Sequence, residues 1–168
     1  MKVIGVLLGG FALLLLGGSF SARLREQLKM LITVKQLFLR IDRELAVRRL
    51  PTGQLLRVLA ESPDFSELSF LREISVRFDG KEPLEEVWAA ALDRDRRVSA
   101  LPEMAALLRE CGGTLGGSDW ETQTAALSLL SERLDGLIAS ARERAEKEGR
   151  MYRSLGLLSG LLLAILAL

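Results

Sequence analysis

The stretch of this 168-residue chain that most resembles a chemical motif is GGTLGGS, residues 112–118. A Gly-rich segment that opens a helix can hold phosphate, because its backbone N–H groups point at the anion. The phosphate loop of nucleotide hydrolases needs Gly, four residues, Gly, Lys and then Ser or Thr. Gly112 and Gly117 have that spacing, but Ser118 stands where lysine is required, and no predicted strand precedes it. We therefore predict a tight turn between two helices and disfavour nucleotide binding.

The other polar residues make a poor catalytic or metal site. The chain has no histidine and one cysteine, Cys111, so the commonest general base and the commonest metal ligand are missing. Glu85-Glu86 and the pair Asp93 and Asp95 lack a second cluster of ligands, and we expect them on solvated, charged helix faces. The sequence therefore predicts a protein that is not an enzyme and uses no cofactor or metal.

The charge balance argues against a nucleic-acid partner. The chain has 23 Lys and Arg against 22 Asp and Glu, so it carries no general basic field. Arg94, Arg96 and Arg97 form a local basic group that would suit a partner or an anionic lipid. Asp93 and Asp95 interleave with these arginines, so a salt-bridged surface is the favoured interpretation.

The two ends of the chain carry almost no charge. Every Lys, Arg, Asp and Glu except Lys2 lies between Arg23 and Arg153. Residues 3–22 form an apolar helix of about 30 Å, the thickness of a bilayer core, which predicts a transmembrane helix. A cleaved signal peptide is the alternative. Residues 154–168 reach only about 22 Å, but a locally thinned bilayer accepts that length. We predict a second transmembrane helix there and disfavour a buried core helix.

Clusters of basic residues predict the orientation. One cluster directly follows the first predicted span, and the other directly precedes the second. The first contains Arg23, Arg25, Lys29, Lys35 and Arg40, and the second contains Arg142, Arg144, Lys147, Arg150 and Arg153. Positive charge favours the cytoplasmic side. We therefore expect residues 23–153 to form a cytoplasmic domain at the cell membrane, with both termini outside.

The middle of the chain has helical periodicity throughout. Apolar residues recur three and four positions apart from Leu24 to Leu45, which predicts one helix from the first span to Pro51. Shorter helices are predicted at 54–60, around the run from Phe65 to Ile74, at 84–98 and at 101–110. Asp79-Gly80 predicts a turn, and Gly112-Gly113 predicts the end of the 101–110 helix.

The last helix is predicted to be the longest. Ser118 and Glu121 have the spacing of a capping box, and an apolar seam close to a heptad pattern follows, with no proline before the second span. The predicted fold is therefore all-α. It is an antiparallel helical bundle whose long first and last helices extend into the two transmembrane spans.

Glycines four residues apart occur in both spans, as Gly5 and Gly9 in the first and Gly156 and Gly160 in the second. Small residues at this spacing let helix backbones approach closely in lipid. We expect these faces to pack within one chain or between chains, so a homo-oligomer is possible. The sequence identifies no residues that bind a soluble partner.

Two segments resemble a known family. GGTLGGSDWETQ, from Gly112 to Gln123, resembles the Gly-x-Thr-Leu-Gly-x-x-Asp-x-x-x-Gln signature of stage III sporulation protein AB. The residues that match are Gly112, Thr114, Leu115, Gly116, Asp119 and Gln123. MYRSLGLLSGLLLAIL resembles the C-terminal span of that family, with Ser154, Leu155, Gly156 and Gly160 in register, and Trp88 stands where the family often has tryptophan.

This resemblance implies a role in endospore formation. It implies a helical bundle similar to the cytoplasmic domains of the type II secretion F platform protein. It also implies a place in the secretion-like channel between mother cell and forespore, in the mother-cell membrane. The expected partners are the companion ATPase, stage III sporulation protein AA, and the other stage III sporulation A channel proteins. A membrane-anchored scaffold that recruits a soluble partner without a transport role is the alternative.

Overall fold

The computed structural model describes the backbone of residues 2–48, 50–117 and 119–167, and the side chains of 22–47, 50–115, 119, 121–151 and 154. The described residues form seven α-helices and one short 3-10 helix, with no strand among them. The α-helices are α1 Lys2–Arg48, α2 Thr52–Glu61, α3 Ser69–Arg77, α4 Leu84–Arg94, α5 Arg96–Ser99, α6 Pro102–Gly117 and α7 Trp120–Ala167. The prediction of an all-α bundle is confirmed at this level.

The chain divides into two compact units. One unit comprises Met1–Lys29 and Ile138–Leu168, and the other comprises Met30–Leu137. The predicted spans, 3–22 and 154–168, fall in the first unit, and their side chains lie outside the described ones except at positions 22 and 154. Within the part of the chain that the structure describes, no helix has the length and apolarity needed to cross a membrane.

The core of the second unit is lined by apolar side chains at helical spacing. The face of α1 predicted from Leu24 to Leu45 is buried from Leu31 onward, with Val34, Phe38 and Ile41 fully so, while Leu24 and Leu28 are half-buried. Leu127, Leu130 and Leu134 form the buried face of α7 within this unit. Spacing of three and four residues places these side chains on one side of each helix, so the periodicity correctly predicted the core face.

The chain between α1 and α4 is more broken than its periodicity predicts. Pro51 precedes α2, and its carbonyl accepts hydrogen bonds from Gln54 and Leu55. Instead of one run from Phe65 to Ile74, a 3-10 helix occupies Pro63–Phe65 and α3 begins at Ser69. The intervening Leu68 has φ of −90° and ψ of 83°, outside the helical region, and is 1 % exposed. The apolar spacing therefore predicted the burial of these residues correctly, but the prediction of one continuous helix from Phe65 to Ile74 is wrong.

The turn predicted at Asp79-Gly80 is confirmed. Gly80 has φ of 82°, a left-handed conformation that glycine adopts without a steric penalty. The Asp79 carboxylate accepts a hydrogen bond from the Lys81 backbone N–H at 3.0 Å, and its other oxygen pairs with the Lys81 ammonium at 2.9 Å. These contacts lower the pKa of Asp79.

The helix predicted over 84–98 is interrupted at Asp95. This residue has extended ψ between α4 and α5, and its Oδ1 accepts hydrogen bonds from the N–H groups of Arg97 and Val98. Its Oδ2 accepts a hydrogen bond from Ser69 Oγ at 2.5 Å. The side chain is 6 % exposed, so the prediction that Asp95 lies on a solvated face is wrong. A carboxylate that caps a helix start offers an alternative to helix continuation.

Replacing Asp95 with alanine is expected to lower the free energy of unfolding by about 2 kcal/mol, because a helix cap and a partly buried hydrogen bond are lost together. The measurement is urea unfolding of the full-length protein in detergent, followed by circular dichroism. Asp93→Ala is the matched control. Asp93 forms an exposed ion pair with Arg109, worth at most about 1 kcal/mol. Equal losses in the two variants would contradict the capping role.

Some exposed charges pair between helices, while others pair with a residue four positions along the same helix. Arg94 of α4 pairs with Glu73 of α3, and Lys35 of α1 pairs with Asp135 of α7 at 2.5 Å. The salt-bridged surface predicted around Arg94 is therefore present, but Asp95 does not supply it and Asp93 pairs with α6 instead. The partners come from other helices, which sequence proximity does not reveal.

Candidate functional site at the junction of α6 and α7

Residues 112–117 of the Gly-rich segment lie in the last part of α6, and the family signature that continues to Gln123 reaches the first turn of α7. Helix α6 extends to Gly117, so the turn predicted over 112–118 is wrong, and so is the end predicted at Gly112-Gly113. Backbone N–H groups inside a helix donate to carbonyls of the same helix. They are therefore not available to hold a phosphate, which needs the free N–H groups of a helix start.

Gly112 is required by a close helix–helix contact. A Cβ atom at this position would lie 2.5 Å from both Cδ1 and Cγ of the Trp88 ring, well inside van der Waals distance. The absence of a side chain lets α4 and α6 approach, and the indole fills the space. Glycine has low helix propensity, yet α6 continues through Gly112. The contact between Gly112 and the Trp88 ring explains why the helix does not end there.

Trp88 is held on three sides. Its side chain is fully buried, and its Nε1–H donates to the Leu108 carbonyl at 2.7 Å. Phe70 of α3 contacts the indole edge to face, with ring centroids 5.8 Å apart and an interplanar angle of 64°. One ring therefore connects α3, α4 and α6, and its polar N–H is satisfied inside the core.

Three further motif residues lie near the corner between the helices, and one of them links α6 to α7. Thr114 Oγ1 donates to the Glu110 carbonyl at 2.9 Å, Leu115 is 3 % exposed, and the Gln123 side-chain amide donates to the Leu115 carbonyl at 3.4 Å. That last bond satisfies a carbonyl near the end of α6 from the first turn of α7. The Gln123 side chain thus joins the two helices across the corner, eight residues after Leu115 in the sequence.

At the start of α7, the predicted capping box of Ser118 and Glu121 stays a prediction. Asp119 immediately precedes the helix, and its backbone carbonyl accepts the Gln123 N–H at 3.0 Å. Ser118, the predicted cap, lies outside the described residues. Asp119 is exposed, and a carboxylate at a helix start interacts favourably with the helix dipole.

The remaining predicted residues are Gly116, near the end of α6, and residues of the two predicted spans. Ser154 is exposed in α7, and its Oγ donates to the Arg150 carbonyl at 3.0 Å. Gly116 belongs to the backbone of α6, Gly5 and Gly9 to that of α1, and Gly156 and Gly160 to that of α7. Their surroundings lie outside the described residues, so helix packing through these glycines stays a prediction.

The chemistry of the corner is that of packing. Cys111, beside Gly112, is fully buried, and burial strongly raises the pKa of its thiol, so it remains protonated and unreactive. Among the described residues, no group of three or more His, Cys, Asp or Glu side chains could hold a metal ion. Among the motif residues with described side chains, Leu115 is buried in the core and Gln123 bridges the two helices.

Sequence reasoning missed the pairing of Trp88 with Gly112 and the burial of Asp95. No local pattern marks these three residues, since Trp88 and Gly112 are far apart in the sequence and Asp95 is one of several charged residues in its segment. A local signal was available for Asp95, because aspartate is one of the residue types preferred at the N-cap of a helix.

Comparison with known proteins identifies a family. The family model described as stage III sporulation protein AB matches residues 2–168. No curated protein matches the chain, and no solved structure matches it.

Proposed function

Because the chain belongs to the stage III sporulation protein AB family, and so has a role in stage III of sporulation, we propose that it is a non-enzymatic membrane component of the secretion-like channel between mother cell and forespore. In this proposal it is a platform that docks a cytoplasmic ATPase, stage III sporulation protein AA. It also contacts the other stage III sporulation A channel proteins, in the mother-cell membrane.

The extent of the family match is the observation that carries this proposal. The matched region, residues 2–168, includes both uncharged ends as well as the helical middle. The match therefore treats the ends and the bundle as one protein, which supports two spans at 3–22 and 154–168 around a cytoplasmic domain at 23–153.

The helices suggest how such a platform would work. α1 has 47 residues and α7 has 48, so each is about 70 Å long at 1.5 Å per residue. Each runs without a break from a predicted span into the helical middle of the chain. A continuous helix transmits a displacement along its axis better than a chain with a flexible joint. We propose that the two helices couple an ATPase on the cytoplasmic side to channel components in the membrane.

Membrane insertion is tested first. We expect the full-length protein to stay with vesicles in alkaline carbonate and to require detergent for release. A reporter that is active only outside the membrane, fused after Leu168, is expected to be active. Release by carbonate would contradict the spans, and an inactive reporter would reverse the proposed orientation.

The platform role is tested by co-purification. Full-length protein extracted in detergent from sporulating cells is expected to bring down both the ATPase and the other channel proteins. Co-purification with one soluble partner, without channel proteins, would favour a membrane-anchored scaffold with no transport role. The Trp88→Phe variant is a suitable control, because it changes the core and leaves the surface unaltered.

A further inference from the structure

Two exposed stripes on the second unit are unusual for a solvent-facing helix surface. On α1, Leu39, Arg43 and Val47 are spaced four residues apart and share one face, with Leu39 48 % and Val47 75 % exposed. They are not among the apolar residues that form the core face of α1. On α7, a second exposed face carries Ala125, Leu129, Glu132 and Gly136, with Leu129 55 % exposed.

The charges on the two stripes are opposite and unused. Arg43 on α1 and Glu132 on α7 are both exposed, and neither forms an ion pair with another residue in the described part of the chain. Each charge is flanked by apolar residues of its own stripe. A basic apolar stripe and an acidic apolar stripe are complementary to each other.

Gly136 adds an observation that does not depend on charge. It lies inside α7, where glycine costs about 1 kcal/mol relative to alanine. A Cβ atom at this position would meet nothing within 4 Å. No contact within the described part of the chain therefore requires glycine here, in contrast to Gly112. A small residue on an exposed helix face permits close approach of another helix.

The register of α1 and α7 determines how two copies would meet. The first half of α1 belongs to the same compact unit as the last part of α7, so the helices are antiparallel, and the ion pair between Lys35 and Asp135 places those residues at one level. Each residue further along α1 from Lys35 is therefore level with a residue one position earlier in α7, counted back from Asp135. Leu39 is then level with Ser131, two residues or about 3 Å from Leu129.

We propose that the α1 stripe of one copy packs against the α7 stripe of a second copy of this chain in the same membrane. This proposal rests on the membrane anchoring of the proposed function, because spans in one bilayer hold two copies at equal height and in the same orientation. A two-fold axis along the membrane normal then places α1 beside the partner copy's α7 in the register found within one chain, and forms each contact twice.

In that arrangement Arg43 of one copy faces Glu132 of the other. The two positions differ by five residues in level, about 7.5 Å. Helical side chains lean toward the N-terminus of their own helix, so on antiparallel helices these two lean toward each other. The long arginine side chain covers the remaining distance, and the apolar pair of Leu39 and Leu129 packs beside it.

Charge reversal gives the decisive test, measured as self-association of full-length protein in detergent or nanodiscs. R43E and E132R are each expected to weaken association at least about tenfold, since like charges then meet at both contacts of the dimer. The double variant R43E/E132R is expected to recover association. An equal mixture of the two single variants is also expected to associate, because every contact between unlike copies then pairs Glu with Arg.

Failure of the mixture and of the double variant to associate would overturn the proposal, as would unchanged association of both single variants. G136L provides a second variant that keeps the helix, since leucine has higher helix propensity than glycine. It is expected to block association by filling the close approach. R72E is the matched control on an exposed position of α3 and is expected to associate normally.

Cross-linking separates this interface from contacts made by the spans alone. A mixture of L39C and L129C copies is expected to form a cross-linked dimer in membranes with a short thiol reagent, while buried Cys111 stays unmodified. Retention in carbonate without this cross-link would leave the membrane proposal intact and refute the interface. Release by carbonate would instead refute the anchoring on which both depend.

Discussion

Replacing Trp88 with alanine is expected to lower the free energy of unfolding by about 3–5 kcal/mol, the range for removing a buried tryptophan. The loss has three sources. A fully buried side chain leaves a cavity, the edge-to-face contact with Phe70 disappears, and the hydrogen bond from Nε1 to the Leu108 carbonyl is removed. A small helical domain has a total stability of only about 5–15 kcal/mol, so much of it would be lost.

The measurement is urea unfolding of full-length protein in detergent, followed by far-ultraviolet circular dichroism at 222 nm. Trp88→Phe is the control. It keeps an aromatic ring beside Phe70 and loses the hydrogen bond and part of the volume, so we expect a smaller cost of about 1–2 kcal/mol. A Trp88→Ala variant as stable as the Phe variant would show that the indole does not join the three helices.

Replacing Gly112 with valine is expected to cost about 3 kcal/mol, at the upper end of the usual range for overpacking a core. The first added atom, Cβ, would lie 2.5 Å from two atoms of the Trp88 ring. The ring cannot move aside easily, because its N–H is bonded to Leu108 on α6 itself. The strain therefore separates α4 from α6 rather than rotating one side chain.

Gly113→Val is the matched control, one position along the same helix. There a Cβ atom would lie 3.6 Å from the Glu85 carboxyl carbon, an ordinary contact with a flexible side chain, so we expect a change of less than about 1 kcal/mol. Non-additivity gives a second check. In a Trp88→Ala background, Gly112→Val is expected to cost at least about 1 kcal/mol less than in the native protein. Equal costs in both backgrounds would contradict the clash.

These two predictions give the Gly-rich motif a physical meaning. Its first glycine permits the approach of α4, Leu115 fills the core, and Gln123 closes the corner by bonding to the Leu115 carbonyl. A motif of this kind holds the end of one helix to the start of the next. In the proposed platform, such a corner would fix α7, the helix that leads toward the second predicted span.

The amino-acid sequence by itself determined the features that depend on periodicity and on local backbone chemistry. Burial of Val34, Phe38 and Ile41 followed from spacing of three and four residues, because every helix must turn such residues to one side. The left-handed turn at Gly80 followed from the conformations open to glycine. The uncharged ends and the family signature were likewise readable from residue types alone.

Only the tertiary structure decided where a helix continues against the propensity of its residues and which charged residue is buried. Gly112 was expected to end a helix, and α6 continues through it because contact with Trp88 outweighs a propensity difference of about 1 kcal/mol. Asp95 was expected at the surface, and it is buried because hydrogen bonds from Ser69 and from the start of α5 satisfy its carboxylate. Trp88 lies 24 positions from Gly112, and Ser69 lies 26 positions from Asp95. Propensity is a property of neighbouring residues, so it contains no information about these two contacts.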